Sequence, residues 1–272
     1  MSNIELITPE WPAPARVRAA FTLRRGGVST GAYASLNLAT HVGDDPAAVA
    51  ENRRRLRAKL SLRSEPVWLE QVHGIAVADL DAPPSQSQCD AAITRTVNRV
   101  CAIQVADCMP VLFASRDGLR VGAAHAGWRG LAGGVLESTV AALQCEPARL
   151  LAWLGPCISA AHFEVGDEVR AAFVSADART AAAFERNARG RWQCDLYAIA
   201  RRRLSVLGIG EVHGGGWCTY AQRNRFFSYR RDGQCGRMSA LIWCQSDADR
   251  ARDTILRAAR RKTEQVEELE HA

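Results

Sequence analysis

Lysine is almost missing from this chain. Of its 35 basic residues only Lys59 and Lys262 are lysines, and the rest are arginine. The net charge of +6 is therefore carried by planar guanidinium forks suited to gripping anions bidentately. That charge is spread along the sequence. Arg53-Arg54-Arg55 and Arg201-Arg202-Arg203 read as exposed helix faces, and no recognition module accompanies them, so a nucleic-acid partner is not expected. Paired cysteine spacing is missing too. The nine cysteines include no C-x-x-C, which argues against a disulfide framework and fits reduced thiols in the cytoplasm. No run approaches the roughly 20 apolar residues that span a bilayer. Met1–Pro9 lacks a basic region leading into an apolar one, so no secretory leader is expected. A P-loop and a G-x-G-x-x-G are both missing, which removes the common phosphate-cradling motifs.

What is present suits a conventional core. Apolar residues make up 47% of the 272 positions, and no Gly/Ser-rich or Pro-rich linker divides them, so a single domain is expected. Residues 17–23 read as a strand entering the turn Gly26-Gly27, and 31–43 as a structured loop. Asp45 as N-cap and Pro46 at the first helical position predict a helix to about Leu60. Short apolar runs at 66–69, 75–80, 90–94, 100–106, 110–114 and 119–125 have strand lengths bounded by Gly, Pro or Asp. A helical pattern follows Gly130 through Leu143, and a buried strand covers 150–154. Helices are expected over Glu164–Phe173, Ala181–Phe184 and Asp195–Leu207, and a strand entering a turn over Phe226–Gly233. Met238–Cys244 reads as the last strand and 246–272 as a charged helical extension. Strands and helices mix without βαβ alternation, which predicts an α+β fold of packed mixed sheets flanked by helices.

Three candidate ligands stand out. His73 in Gln71-Val72-His73-Gly74, Cys108 in Ala106-Asp107-Cys108-Met109-Pro110 and His125 in His125-Ala126-Gly127-Trp128-Arg129-Gly130 each lie beside an apolar run and a turn. Two imidazoles and a thiolate suit a borderline-soft cation such as zinc, with copper an alternative. Three protein ligands leave a coordination position open, as in catalytic sites. The same residues also permit a metal-free reading, with Cys108 as nucleophile, His125 as base and Asp107 or Gln71 orienting the imidazole. Gly27-Val28-Ser29-Thr30-Gly31 fits the G-x-S-x-G elbow, but a loop follows the serine where the elbow requires a helix. Cys157 in Pro156-Cys157 lacks a second cysteine and reads as packing. Arg129, Arg230 and Arg231 sit next to turns where they could reach an anion, with Asp107 and Asp232 as their alternative partners.

Taken in order, the motifs resemble one known family. Arg24-Arg25-Gly26-Gly27-Val28-Ser29, Ser35-Leu36-Asn37-Leu38, His41-Val42-Gly43-Asp44-Asp45-Pro46, Asn52-Arg53, the three ligand motifs, Gly155-Pro156-Cys157-Ile158, Glu164-Val165-Gly166, Cys218-Thr219 and Phe227-Ser228-Tyr229-Arg230-Arg231-Asp232-Gly233 follow the pattern of the YfiH/YlmD family. That family is related to the mammalian FAMIN protein and carries laccase-domain or polyphenol oxidase labels. The likeness covers roughly residues 15–244. It implies one α+β domain over residues 1–245, with 246–272 as an extension outside it. It also implies zinc held by His73, Cys108 and His125, and phosphorolysis of adenosine, inosine, guanosine or methylthioadenosine with inorganic phosphate, alongside adenosine deamination. Zinc brings the pKa of a coordinated water towards about 7, which suits attack on an amino-bearing purine carbon. Arg129 or Arg230 would then hold phosphate, and Arg24 and Asn37 would contact the nucleoside. A copper-dependent phenol oxidase and a metal-free Cys–His hydrolase editing peptidoglycan precursors are the alternatives. A laccase-type enzyme needs many histidines, and only six occur. Nothing in the sequence sets an oligomeric state.

Overall fold

The computed structural model describes residues 4–83 and 88–251. Five strands, β1 (Leu6–Ile7), β2 (Val17–Thr22), β14 (Met238–Cys244), β6 (Cys101–Val105) and β3 (Val67–Trp68), lie side by side in that order. Only the β3/β6 pair is parallel in this sheet. Six strands, β13 (Glu211–Gly214), β9 (Leu150–Leu154), β7 (Met109–Ser115), β8 (Val121–Ala126), β5 (Ala91–Thr94) and β4 (Val77–Asp79), form a second sheet in that order. Its two outermost pairs are parallel and the rest antiparallel. β10 (Glu164–Val165), β12 (Trp192–Cys194) and β11 (Phe184–Arg186) make a small third sheet. The helices are α1 (Pro46–Leu60), α2 (Trp128–Gly133), α3 (Val135–Ala142), α4 (Asp167–Val174), α5 (Leu196–Val206) and the single turn α6 (Tyr229–Asp232). This is the expected α+β architecture of mixed sheets and flanking helices.

The period of two along each strand explains why both large sheets read as continuous apolar runs. In β14, Ala240, Ile242 and Cys244 face one buried cluster while Leu241 and Trp243 face another. Leu112 and Ala114 of β7, Ala123 of β8 and Trp153 of β9 join the same inner cluster as Ile103 and Val105 of β6. The two sheets therefore pack face to face over one shared core. The outer side of the five-stranded sheet is covered by Leu56 of α1 together with Leu36 and Leu38. The outer side of the six-stranded sheet is covered by Val135, Leu136 and Val140 of α3, Val169 and Phe173 of α4, and Ile199 and Leu204 of α5.

Several expected boundaries hold. Asp45 caps α1 by accepting from the Ala47 N–H, with Pro46 at its first position. Asp195 does the same for α5 through the Ala198 N–H. Others need correction. The helix expected after Gly130 starts at Trp128 and breaks at Gly134, whose φ of 104° no β-carbon-bearing residue adopts easily. Glu164–Val165 is a strand because it pairs with β12, and the helix begins only at Asp167. Residues 178–183 form a 3-10 segment that ends where β11 starts. The strand entering a turn expected over Phe226–Gly233 is instead an irregular segment running into α6, because the Ser228 side chain caps the Arg231 N–H. The charged helical extension lies, from residue 252 onward, outside the described residues. No described helix is long and apolar enough to cross a membrane.

Candidate metal centre

Cys108 owes its position to a change of sheet. β6 ends at Val105 in the five-stranded sheet, and β7 begins at Met109 in the six-stranded one. The chain makes the passage through Asp107, whose φ of 84° lies in the left-handed region. That conformation costs a non-glycine residue about 1 kcal/mol or more, and the Asp107 carboxylate offsets it. It accepts from the hydroxyls of Thr219 at 2.6 Å and Ser228 at 3.0 Å and from the Arg230 N–H at 2.7 Å. The turn is thus clamped, and Cys108 is left facing the end of β8, where His125 sits.

His125 is buried and directed by Asp90, a fully buried residue just before β5. Its Nδ1 lies 2.8 Å from Asp90 Oδ1. A carboxylate can only accept, so Nδ1 carries a proton and Nε2 is the nitrogen left to bind a metal, which would displace the proton it holds in the metal-free site. The same carboxylate accepts the backbone N–H groups of Val72 at 3.1 Å, His73 at 2.8 Å and Gly74 at 2.7 Å. These three bonds hold the turn in which His73 takes a φ of 63°. One acid therefore places two imidazoles, whose ring centroids are 4.8 Å apart at 64°. His73 Nε2 lies 3.8 Å from Cys108 Sγ. Ligand atoms of His73, Cys108 and His125 all lie within 4.8 Å of one another.

Glycines clear the space. A β-carbon at Gly127 would sit 2.9 Å from both Cys108 Sγ and His73 Cδ2, and one at Gly130 would sit 2.8 Å from the Gly74 carbonyl. The electrostatics follow from the same packing. Burial alone would push the Cys108 thiol up, but the adjacent His125 charge and hydrogen bonds from both imidazoles bring it down to about 6. Burial would lower His125, yet the Cys108 thiolate and the Asp90 carboxylate raise it to about 9. Asp90 itself stays below the ordinary carboxylate range. Its hydrogen bonds from His125, Gly74 and Val72 outweigh the desolvation that acts against it. By contrast, burial drives the thiol of Cys157 well up, as expected of packing.

The three donors open on a cavity of about 530 Å³ that also takes in His41, Trp128, Phe163, Tyr229 and three arginines, Arg129, Arg230 and Arg237. Arg129 lies over the Trp128 ring at 4.5 Å and Arg230 over Phe163 at 5.2 Å. Two other expected nucleoside contacts are elsewhere. Arg24 does not line this cavity; its guanidinium is spent on the carbonyls of Ala34 and Arg223. Asn37 is fully buried and bonded to Ala39, Asp44 and the Arg237 N–H. Arg231 is likewise consumed by Thr219, Tyr220 and Phe226 carbonyls and by Asp232. Neither expected orienting group touches His125, since Gln71 is bonded to the Gln104 backbone and Asp107 serves its own turn. Asp90 takes that role. An acid opening the apolar run Ala91-Ala92-Ile93 was the available signal, because buried acids need partners.

A family model described as multi-copper polyphenol oxidoreductase laccase matches residues 18–245. The chain belongs to this laccase-domain family. Within it, the chain is 52% identical over 240 residues to purine nucleoside phosphorylase PA4543 of Pseudomonas aeruginosa, covering 88% of this chain and 98% of that one. It is 50% identical to purine nucleoside phosphorylase YfiH of Escherichia coli K12, with the same coverage. Among solved structures of this laccase-domain fold, protein NMB0706 of Neisseria meningitidis is similar with a TM-score of 0.84 and 49% identity, over 89% of this chain and 99% of that one. YlmD from Geobacillus stearothermophilus has a TM-score of 0.78 and 31% identity, over 86% and 94% of the two chains.

Proposed function

We propose that this protein is a zinc-dependent purine nucleoside phosphorylase. It would convert adenosine, inosine, guanosine or methylthioadenosine to the free base and ribose 1-phosphate, and deaminate adenosine in the same cavity. The observation that carries this reading is the meeting of His73, Cys108 and His125 within 4.8 Å, open to a cavity lined by arginines. Relatives named purine nucleoside phosphorylase at 52% and 50% identity support the substrate class. Nine free cysteines suit a reducing compartment, and we place the protein in the cytoplasm.

The donor set fits zinc. Two imidazole nitrogens and a sulfur match its preferences. The thiol, brought down to about 6 by its neighbours, is a thiolate at neutral pH, the form that ligates. When bound, zinc supplies Lewis acidity, worth several kcal/mol of charge stabilisation. The chain's own groups do the rest. Arg129 and Arg230 would grip inorganic phosphate, aligning one oxygen for attack at the ribose C1′ as the bond to the base breaks. Asp90 keeps the His125 ring from turning and its Nδ1 protonated throughout. The apolar faces of Phe163 and Trp128 exclude water and give the purine a surface.

Incubating zinc-replete protein with adenosine and phosphate should yield adenine, ribose 1-phosphate and inosine, and adding a strong chelator should abolish all three. A zinc-replete sample that forms none of them overturns the proposal. Copper chemistry on phenols is the second reading, favoured by the description of the matching family. Among the described residues, however, His73, Cys108 and His125 are the one group of three or more such side chains that could hold a metal, whereas reduction of dioxygen by a laccase requires several coppers. Several coppers per chain with oxygen uptake on a catechol would reverse the ranking.

A further inference from the structure

The three arginines of the cavity differ from the other arginines near it in what their forks have left to give. Arg24 and Arg231 have donors on all sides bound to backbone carbonyls or to Asp232. Among the described residues, no carboxylate pairs with Arg129, Arg230 or Arg237, and Asp107, the nearest acid in the cavity lining, is already fully engaged. Arg237 is the most firmly seated of the three. Its Nη1 donates to the carbonyls of Cys235 at 2.8 Å and Gly236 at 3.2 Å, and its guanidinium lies over the Tyr229 ring at 5.8 Å. Nε and Nη2, the edge that grips an oxyanion bidentately, have no partner among the described residues.

The backbone around Arg237 is equally held. Its N–H donates to Asn37 Oδ1 at 2.9 Å, and its carbonyl accepts from the Leu38 N–H at 3.3 Å. Asn37 Nδ2 in turn donates to the Ala39 carbonyl and to Asp44 Oδ2. The loop so anchored carries His41 into the same cavity. There burial, and then the positive charges of Arg237 and Arg53, keep the imidazole below its ordinary value. A cavity wall with three fixed positive charges, a neutral imidazole and a single acid, Asp107, that is held by its own turn suits an anion. A fork already immobilised by packing loses little further entropy on binding one.

We propose that Arg237, seated by Asn37 and by the Tyr229 ring, is a phosphate-binding residue of this cavity, gripping the oxyanion through Nε and Nη2. The reaction it would serve is the phosphorolysis proposed above, and the assignment rests on that reading for its role in turnover. The test is steady-state kinetics of the zinc-loaded full chain with inosine and varied phosphate, alongside calorimetric titration with inorganic phosphate in the absence of nucleoside. Arg237→Gln is expected to raise the phosphate KM and Kd about 10-fold or more, the usual consequence of losing charge-assisted hydrogen bonds. The KM for inosine should stay within about twofold, because the removed group faces the anion. Arg237→Lys, which keeps the charge and loses the fork, should fall between, at about threefold or more, and serves alone if the glutamine variant melts early. Phosphate binding unchanged in both variants, or in the lysine variant where only it folds, overturns the assignment. If wild type binds phosphate through Arg237 but turns over no nucleoside, the phosphorylase reading fails and the anion site stands.

Discussion

Asp90 and His125 are joined twice: the Asp90 carboxylate takes the Nδ1 proton of His125 at 2.8 Å, and the Asp90 carbonyl takes the His125 backbone N–H at 2.7 Å. The first contact fixes the tautomer and the second the strand register, so the imidazole has neither rotational nor translational freedom. Because the same carboxylate also collects the N–H groups of residues 72–74, its loss reaches both histidines.

Asp90→Asn tests this directly. Each carboxylate oxygen of Asp90 accepts two of the four inward-pointing donors, so the N–H₂ group of the amide sets two of them against another donor. Zinc affinity, measured by competition with a chromogenic chelator, should fall about 10- to 100-fold, the usual cost of removing the partner of a ligating histidine. Affinity within a factor of two of wild type would show that the ring needs no such anchor.

Gly127→Ala probes space instead of charge. The glycine has an ordinary φ of −64°, so the backbone accepts alanine. The new methyl would nonetheless lie 2.9 Å from the Cys108 sulfur and from His73 Cδ2. Ligand geometry tolerates only about 0.5 Å of displacement, so zinc affinity should drop about tenfold or more. The melting temperature of the metal-free protein should stay close to wild type, which separates this outcome from general unfolding.

Metal-stripped protein should show an unusual thiol. With Cys108 brought down to about 6, its thiolate already predominates at neutral pH. Alkylation by iodoacetamide should hold nearly constant from pH 7 to 9 and decline as pH falls through 6. An ordinary thiol would still be gaining rate over that interval. Its partner His125, raised to about 9, keeps its proton at neutral pH and releases it only as pH approaches 9, so the two titrate as a pair. Mass mapping should find the label at Cys108 in preference to Cys194 or Cys244, whose thiols burial pushes up to about 12 and about 11. A rate that climbs steadily to pH 9 at Cys108 contradicts the pairing.

Asn52→Ala should destabilise the fold from a distance. This fully buried amide accepts the Val28 N–H at 2.8 Å and donates to Ser29 Oγ at 2.9 Å and to the carbonyls of Ser35 and Asn37 at 3.1 and 2.9 Å. Truncation strands several of these groups without water, at a cost of about 3 kcal/mol. Chemical denaturation should register that loss as a lower midpoint with an unchanged slope.

Local signals carried much of this structure into the sequence. Asp45-Pro46 announced α1 because a cap and a pre-set φ act within one turn, and Leu150–Leu154 announced β9 because a short apolar run has few alternatives. The three candidate donors, His73, Cys108 and His125, stood out for the same local reason, each lying where an apolar run gives way to a turn, and the structure brings them together. What stayed hidden depended on distant partners. Asp90 reads as one acid among many until His125 and the 72–74 turn converge on it. Asn37 looks like a loop residue free to meet a ligand, yet the chain from Cys235 to Arg237 closes over it. Ser228 converts an apparently extended aromatic segment into α6, since capping of the Arg231 N–H outweighs the strand propensity of Phe226 and Phe227. The division of the apolar runs between two sheets also follows only from pairing across more than a hundred residues, as between β2 and β14.

The passage through Asp107 from one sheet to the other has a consequence for assembly of the centre. Cys108 belongs to the seam between the sheets, His125 to one sheet and His73 to the segment leaving the other, so no fragment holding a single sheet brings the donors within reach. Cobalt(II) added during refolding should therefore develop its thiolate-to-metal absorption only as the two layers dock, making the ion a coloured witness to the final tertiary step.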